Sequence, residues 1–201
     1  MKIIGLSGGS GSGKGTVARL MLKAGIPTID TDAVYHSLTA GKSECLDALC
    51  SEFGDGIISP SGALDRAALA KIVFCGPDAD LKRAALNKIA HKYVLDETRM
   101  MLSDYEHSGA PAVTVDAPLL FESGFDAECD KIIAVLADEK IRIGRIVERD
   151  RISAEQARMR IKSQLTDEFL RSKADYVIVN NGDVADLASC VSDVVKDILK
   201  D

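Results

Sequence analysis

The chain has 201 residues, 46% of them hydrophobic and 28% charged, with a net charge of −6. That is enough apolar material for a sizeable core, which excludes a disordered chain, and the acidic balance argues against general binding to nucleic acid. Aromatics make up only 4% and tryptophan is absent, so the core must be aliphatic, as in a parallel sheet covered by helices.

No apolar run approaches a membrane span, and the stretch after Lys2 is too short for the apolar region of a signal peptide. The five cysteines (Cys45, Cys50, Cys75, Cys129, Cys190) are odd in number and include no C-x-x-C pair. They read as reduced thiols of a cytoplasmic protein with no zinc site. The charge is uneven: residues 140–173 carry ten Lys/Arg against five Asp/Glu, a local +5 that leaves −11 elsewhere. An acidic body with one basic arm suits a localised small-molecule phosphate site, with neither nucleic acid nor membrane as partner.

In chain order, Lys2–Ser7 reads as a short strand and Gly8-Gly-Ser-Gly-Ser-Gly-Lys14-Gly-Thr16 as a glycine-rich loop. The loop opens onto a helix that closes at Gly25. This is the strand–loop–helix setting of a phosphate-binding P-loop, in which unobstructed backbone N–H groups form an anion nest and Lys14 reaches the outer phosphates. The pattern departs from G-x-x-x-x-G-K-[ST] at one position, Gly15, with Thr16 one residue later. Pro27–Asp30 reads as a second strand ending in Asp30-Thr31-Asp32. Ligands of open α/β sheets sit beyond the carboxyl ends of the strands, so these carboxylates can serve as base or metal partner. The alternative is that one of them caps a helix starting near Ala33.

Residues 33–107 read as helical almost throughout, with apolar stripes at Leu46–Cys50, Leu64–Phe74 and Leu81–Met101. So long an insert between strands suggests a lobe that holds an acceptor substrate. Pro111–Asp116 is a third strand with an acidic tip, where Asp116 stands as a carboxylate near a metal ion or as ordinary turn chemistry. Lys131–Leu136 is a fourth strand. The basic arm follows as two helices, Ile141–Arg149 and Ala154–Gln164. Arg142, Arg145 and Arg149 share one helical face. Arg142, Arg151 and Arg158 read as solvated, whereas Arg145 and Arg149 suit the charge neutralisation that phosphoryl transfer needs. Ala174–Val179 is a fifth strand, followed by Asn180-Asn-Gly182 and a closing helix capped by Asp183 or Gly182. Strands alternating with helices predict an α/β fold built on a doubly wound five-stranded parallel sheet.

Taken together these residues resemble the dephospho-CoA kinase family, over nearly the whole chain. The resemblance rests on the glycine loop, Ile29-Asp-Thr-Asp32, Leu64-Asp-Arg66 with Val73-Phe74, and His91. It continues through Pro118-Leu-Leu-Phe-Glu122, Arg145 with Arg149, Arg160-Ile-Lys-Ser-Gln164, and Ala174-Asp-Tyr-Val-Ile178 with Asn180 and Gly182. It implies a P-loop kinase with an ATP-binding core (1–32, 108–138 and 174–201), a helical coenzyme-A-binding lobe (33–107) and a short helical lid (139–173). It also implies ATP and Mg²⁺ as cofactors and dephospho-CoA, phosphorylated on its ribose 3′-hydroxyl, as substrate. By the same resemblance Asp32 is the general base, and Lys14 and Arg145 stabilise the γ-phosphoryl group with Arg149 in support. ATP would be held by Gly9, Ser10, Gly11, Ser12, Gly13, Lys14, Gly15 and Thr16, with Asn180 and Gly182 near the adenine. Asp32, Arg66, His91, Pro118, Leu119 and Arg160 are expected at the substrate, and Thr16 and Asp116 at the metal.

The chain departs from the family pattern at Gly15, where Ser is usual, at Lys92, where Pro is usual, and at Leu170, where a basic residue is common and Arg171 stands next to it. An adenylate kinase would show Gly-x-Pro-Arg after the third strand, where this chain has Ala117-Pro-Leu-Leu120. A nucleotide switch or metallochaperone would show N-K-x-D or His/Cys clusters, and neither is present.

Overall fold

The structure is a computed structural model and describes residues 1–200. Five parallel strands, β1 (Lys2–Ser7), β2 (Thr28–Asp30), β3 (Ala112–Asp116), β4 (Lys131–Leu136) and β5 (Tyr176–Val179), form one sheet in the order β2-β3-β1-β4-β5. The helices are α1 (Lys14–Lys23), α2 (Thr31–Leu38), α3 (Glu44–Phe53), α4 (Arg66–Phe74), α5 (Ala79–His107), α6 (Glu139–Asp150), α7 (Ala154–Lys162), α8 (Asp167–Lys173) and α9 (Val184–Lys200). The chain forms two compact units, Met1–Asp30 with Asp104–Asp201, and Thr31–Ser103.

The sheet belongs to the first unit. Its strands are continuous apolar runs because both faces are covered. On one face Ile4, Leu6, Ile133, Val135 and Ile178 pack against Val17 and Met21 of α1 and against Leu187, Val191, Val195 and Ile198 of α9. The α9 residues recur at helical spacing, and each buried aliphatic side chain contributes on the order of 1.5–3 kcal/mol. On the other face Ala134 and Leu136 pack with Leu170, Phe121 and Phe169, the two rings meeting edge to face at 5.3 Å. Gly5 keeps β1 thin there: a Cβ would lie 2.9 Å from both Leu120 Cδ2 and Cys129 Sγ.

Central β1 lies between β3 and β4, and the chain crosses over it from one to the other. The loop leaving β1 therefore sits at the switch point of the sheet, the place where α/β proteins bind ligands. Asp30 and Asp116 are register partners at the carboxyl ends of β2 and β3.

The second unit holds α2, α3, α4 and most of α5 around Cys45, Leu46, Leu49, Ile57, Leu69 and Val73. Ser43 caps α3 and Asp65 caps α4, each accepting a backbone N–H three residues on, 3.0 Å in both cases. α5 runs unbroken through His91 and Lys92. A lysine at position 92 keeps the N–H that a helix interior requires and a proline would remove.

The element types follow the sequence expectations, with two corrections. α8, to which the sequence reading assigned no element, is a separate short helix capped by Thr166, whose Oγ1 accepts the Phe169 N–H at 3.2 Å. α2 starts at Thr31, two residues earlier than expected, so Asp32 lies within its first turn and does not hold the capping position. A carboxylate there faces the positive end of the helix dipole.

Candidate functional site

In the first unit the site is built on the loop between β1 and α1. Gly11 (φ 78°) and Gly13 (φ 95°) hold left-handed backbone that only glycine adopts without strain. Gly13 is the N-cap of α1, so Lys14, Gly15 and Thr16 form its first turn at the positive end of the helix dipole, with the Thr16 N–H turned back to the Gly13 carbonyl at 2.8 Å. Lys14 is ion-paired with Asp116 at the tip of β3, and both side chains are largely buried. The ion pair brings the loop lysine and the strand-end carboxylate together. Thr16 Oγ1 accepts from Arg19 Nη2 at 3.0 Å. A Cβ on Gly15 would meet nothing within 4 Å.

Side chains from outside the loop tie it down. Asn180, at the end of β5, is buried and donates from Nδ2 to the Ser12 carbonyl at 2.7 Å. Its amide nitrogen therefore braces the loop. A Cβ on Gly13 would collide with that same nitrogen. Arg145 of α6 donates to the carbonyls of Gly11 (3.2 Å), Ser12 (3.4 Å) and Asn180 (3.1 Å). Arg142 corrects the sequence reading outright. Read as solvated, it is only 5% exposed and donates from Nε to the Ser10 carbonyl at 3.0 Å. Arg151 and Arg158 are exposed, as expected.

Arg149 does not join them. It donates to its own neighbour Asp150, which also pairs with Arg160 across the turn between α6 and α7. The Arg149 hydrogen bond, with Arg160 assisting against some burial, holds the Asp150 carboxyl down to about 2. Leu170 is a core residue, 2% exposed beneath β4, and Arg171 beside it is exposed. The shape of the sheet face, where a long basic side chain could not be solvated, accounts for Leu170. Pro118 and Leu119 are exposed on the turn after β3, while Leu120 is fully buried. Gly182 precedes the Asp183 cap of α9, whose Oδ1 accepts from Ala185 and Asp186 at 2.8 and 2.9 Å.

In the second unit Asp32 is exposed in the first turn of α2, and His36 lies one turn further along the same helix. Arg66, first residue of α4, meets both ring nitrogens of His36, Nη1 to Nε2 at 2.8 Å. A neutral imidazole has one acceptor nitrogen, so only one of these contacts is a hydrogen bond at a time. His91 is half-buried on α5.

Sequence reasoning missed Arg142, and it quoted Gln164 without giving it a role. Their contacts join segments more than 130 residues apart. Helical periodicity shows which arginines share a face, but not which of them docks.

The family model for dephospho-CoA kinase matches residues 2–186. A curated dephospho-CoA kinase from Symbiobacterium thermophilum is 38% identical over 182 residues, covering 90% of this chain and 75% of that one. A crystal structure from Thermus thermophilus superposes with a TM-score of 0.79 at 31% identity, over 98% of this chain and 97% of the other. The dephospho-CoA kinase from Campylobacter jejuni gives 0.73 at 25% identity, over 100% and 98%. The glycine loop, the parallel sheet that carries it and these matches along the chain lead to one conclusion: the chain belongs to the dephospho-CoA kinase family.

Proposed function

We propose that the chain transfers the γ-phosphoryl group of ATP to the ribose 3′-hydroxyl of dephospho-CoA. The observation that carries the ATP half is the loop at the head of α1, with Lys14 held against the buried Asp116 carboxylate. Asp116 neutralises Lys14. Phosphate oxygens then replace it as the partner of the ammonium, which becomes a point charge on the β- and γ-phosphates. Arg145, already on the loop carbonyls, supplies a second cation next to them. Arg149 contributes at longer range once it leaves Asp150.

Among the described residues no group of three or more His, Cys, Asp or Glu side chains could hold a metal ion alone. That fits Mg²⁺, which takes most of its ligands from phosphates and water and only one or two from protein. Asp116 would hold it together with the Thr16 hydroxyl or a water in its place, and when bound it neutralises phosphate charge. Asp32 accepts the proton of the attacking hydroxyl. Arg66 and His91, with Pro118, Leu119 and Arg160, bind the acceptor. The site of action is the cytoplasm, where the substrate is a free small molecule. No helix among the described residues is long and apolar enough to cross a membrane.

Asp32→Asn tests the reading, since it keeps the size of the side chain and removes the base. Turnover should fall by about 10²–10⁴ with dephospho-CoA affinity largely kept. Near-normal ADP release would overturn the role of Asp32. Release equal with dephospho-CoA, with AMP and with no acceptor would overturn the substrate, and ³¹P NMR of the product reads the phosphorylated position.

A further inference from the structure

Arg142 is the most deeply buried arginine of the basic arm, although nothing in the phosphoryl-transfer reading uses it. Burying a guanidinium is costly unless its donors are satisfied. Here they are. Nε donates to the Ser10 carbonyl at 3.0 Å, Nη2 to Gln164 Oε1 at 3.1 Å, and Nη1 to Asp167 Oδ1 at 3.3 Å. Gln164, just beyond α7, closes the ring: its Oε1 accepts the Ser10 N–H at 2.9 Å and its Nε2 donates to Ser10 Oγ at 3.1 Å. Ser10, in the middle of the glycine loop, thus has its N–H, its carbonyl and its hydroxyl all bound by the arm.

Two glycines fit this arrangement. A Cβ on Gly11 would lie 2.6 Å from the Arg142 carbonyl and 2.9 Å from its Cα, so the backbone of α6 rests directly on the loop. A Cβ on Gly9 would collide with Arg142 Nη2 and come within 3.0 Å of Gln164 Oε1. Gly9 is not in left-handed backbone, so its φ does not require glycine. The nearest atoms a larger residue would meet there belong to those two side chains.

We propose that Arg142 and Gln164 are positioning residues that clamp Ser10 and so preset the outer arm of the nucleotide loop. Arg145 stands one helical turn after Arg142, and the same clamp seats it on the Gly11 and Ser12 carbonyls. The proposal rests on the reading of the loop as the ATP site. A loop fixed before the ligand arrives loses less conformational freedom on binding, so the clamp acts on ATP affinity and not on the acceptor.

The test is a double-mutant cycle of Gly9→Ala with Arg142→Ala, read by ATP affinity in calorimetry and by the denaturant midpoint without nucleotide. Gly9→Ala alone should weaken ATP by about tenfold or more and lower the midpoint, while adding it to Arg142→Ala should cost less than about twofold further. Gln164→Ala, at a half-buried position, serves if Arg142→Ala folds poorly. It should speed hydrogen exchange at the Ser10 amide, raise the KM for ATP several-fold and leave the KM for dephospho-CoA unchanged. A Gly9→Ala cost that is absent, or equal in both backgrounds, overturns the clamp, as does an unchanged Ser10 amide. Failure of the unsubstituted protein to bind ATP would overturn the reading of the loop instead, and the nucleotide-free midpoints would still decide the clamp.

Discussion

Gly15 is the residue at which this chain leaves the usual phosphate-loop pattern, and replacing it with serine separates packing from metal chemistry. A Cβ there meets nothing within 4 Å and the backbone lies outside the left-handed region, so Gly15→Ser carries no steric cost. It is the second residue of α1 and exposed. Serine is a better helix residue than glycine, so the helix should gain up to about 0.5 kcal/mol. For a chain of this length that is a rise in Tm of about 1–2 °C. The added hydroxyl also stands where a P-loop presents its Mg²⁺ ligand. Thr16 is a weaker candidate for that task, because Arg19 already donates to its hydroxyl oxygen at 3.0 Å. If water fills the position in the natural chain, an added ligand worth about 1 kcal/mol lowers the half-saturating Mg²⁺ concentration about fivefold. A Mg²⁺ titration of ADP release at fixed ATP, beside a thermal melt, reads both effects. A lowered Tm would refute the packing argument. A raised Tm with an unchanged Mg²⁺ requirement would show that Thr16 already supplies the oxygen, and Thr16→Val should then raise that requirement.

Arg145→Ala should lower kcat by about 10²–10³ and weaken ATP by less than tenfold, because the variant loses charge stabilisation as well as donors to three loop carbonyls. Equal losses in kcat and ATP affinity would make Arg145 a brace alone. Asp116→Asn removes the carboxylate that competes with phosphate for Lys14, so ATP binding without Mg²⁺ should tighten while Mg²⁺-supported turnover falls. Looser Mg²⁺-free binding would argue that Asp116 holds Lys14 in place instead of competing for it. Among the thiols, burial first and then Asp126, Glu128 and Asp130 push Cys129 up to about 12, so it stays protonated and unreactive throughout the neutral range. A thiol reagent at pH 8 should therefore modify exposed Cys75 and Cys190 first and half-buried Cys129 far more slowly. Fast labelling of Cys129 in the folded protein would contradict the protonated thiol expected at this half-buried place against β1.

How much of this was legible in the sequence depended on whether the determining contacts were local. The strands, the loop and α9 were readable because apolar runs and helical stripes are set by neighbours in the chain. Asp183 announces the α9 cap in the same way, by reaching N–H groups two and three residues on. α8 was hidden because seven residues are too few for a helical period to stand out, and only Thr166 marked its start. The arginines of α6 show where such reading ends. Arg142, Arg145 and Arg149 recur on one face and are alike to any pattern, yet the structure gives them three different environments: a buried clamp on Ser10, a set of loop carbonyls, and an exposed pair with Asp150. What separates them is the approach of α6 to the loop. Gly11 permits that approach because it has no side chain between the Arg142 backbone and its own. The glycines of the loop thus answer to two demands, phosphate on the inner side and α6 on the outer, and only the first is written in the phosphate-loop pattern. A residue that looks interchangeable on a helical wheel becomes specific when a distant glycine lets its backbone touch. The double substitution at Gly9 and Arg142 probes the side-chain half of that docking, where a Cβ on Gly9 would meet the Arg142 guanidinium.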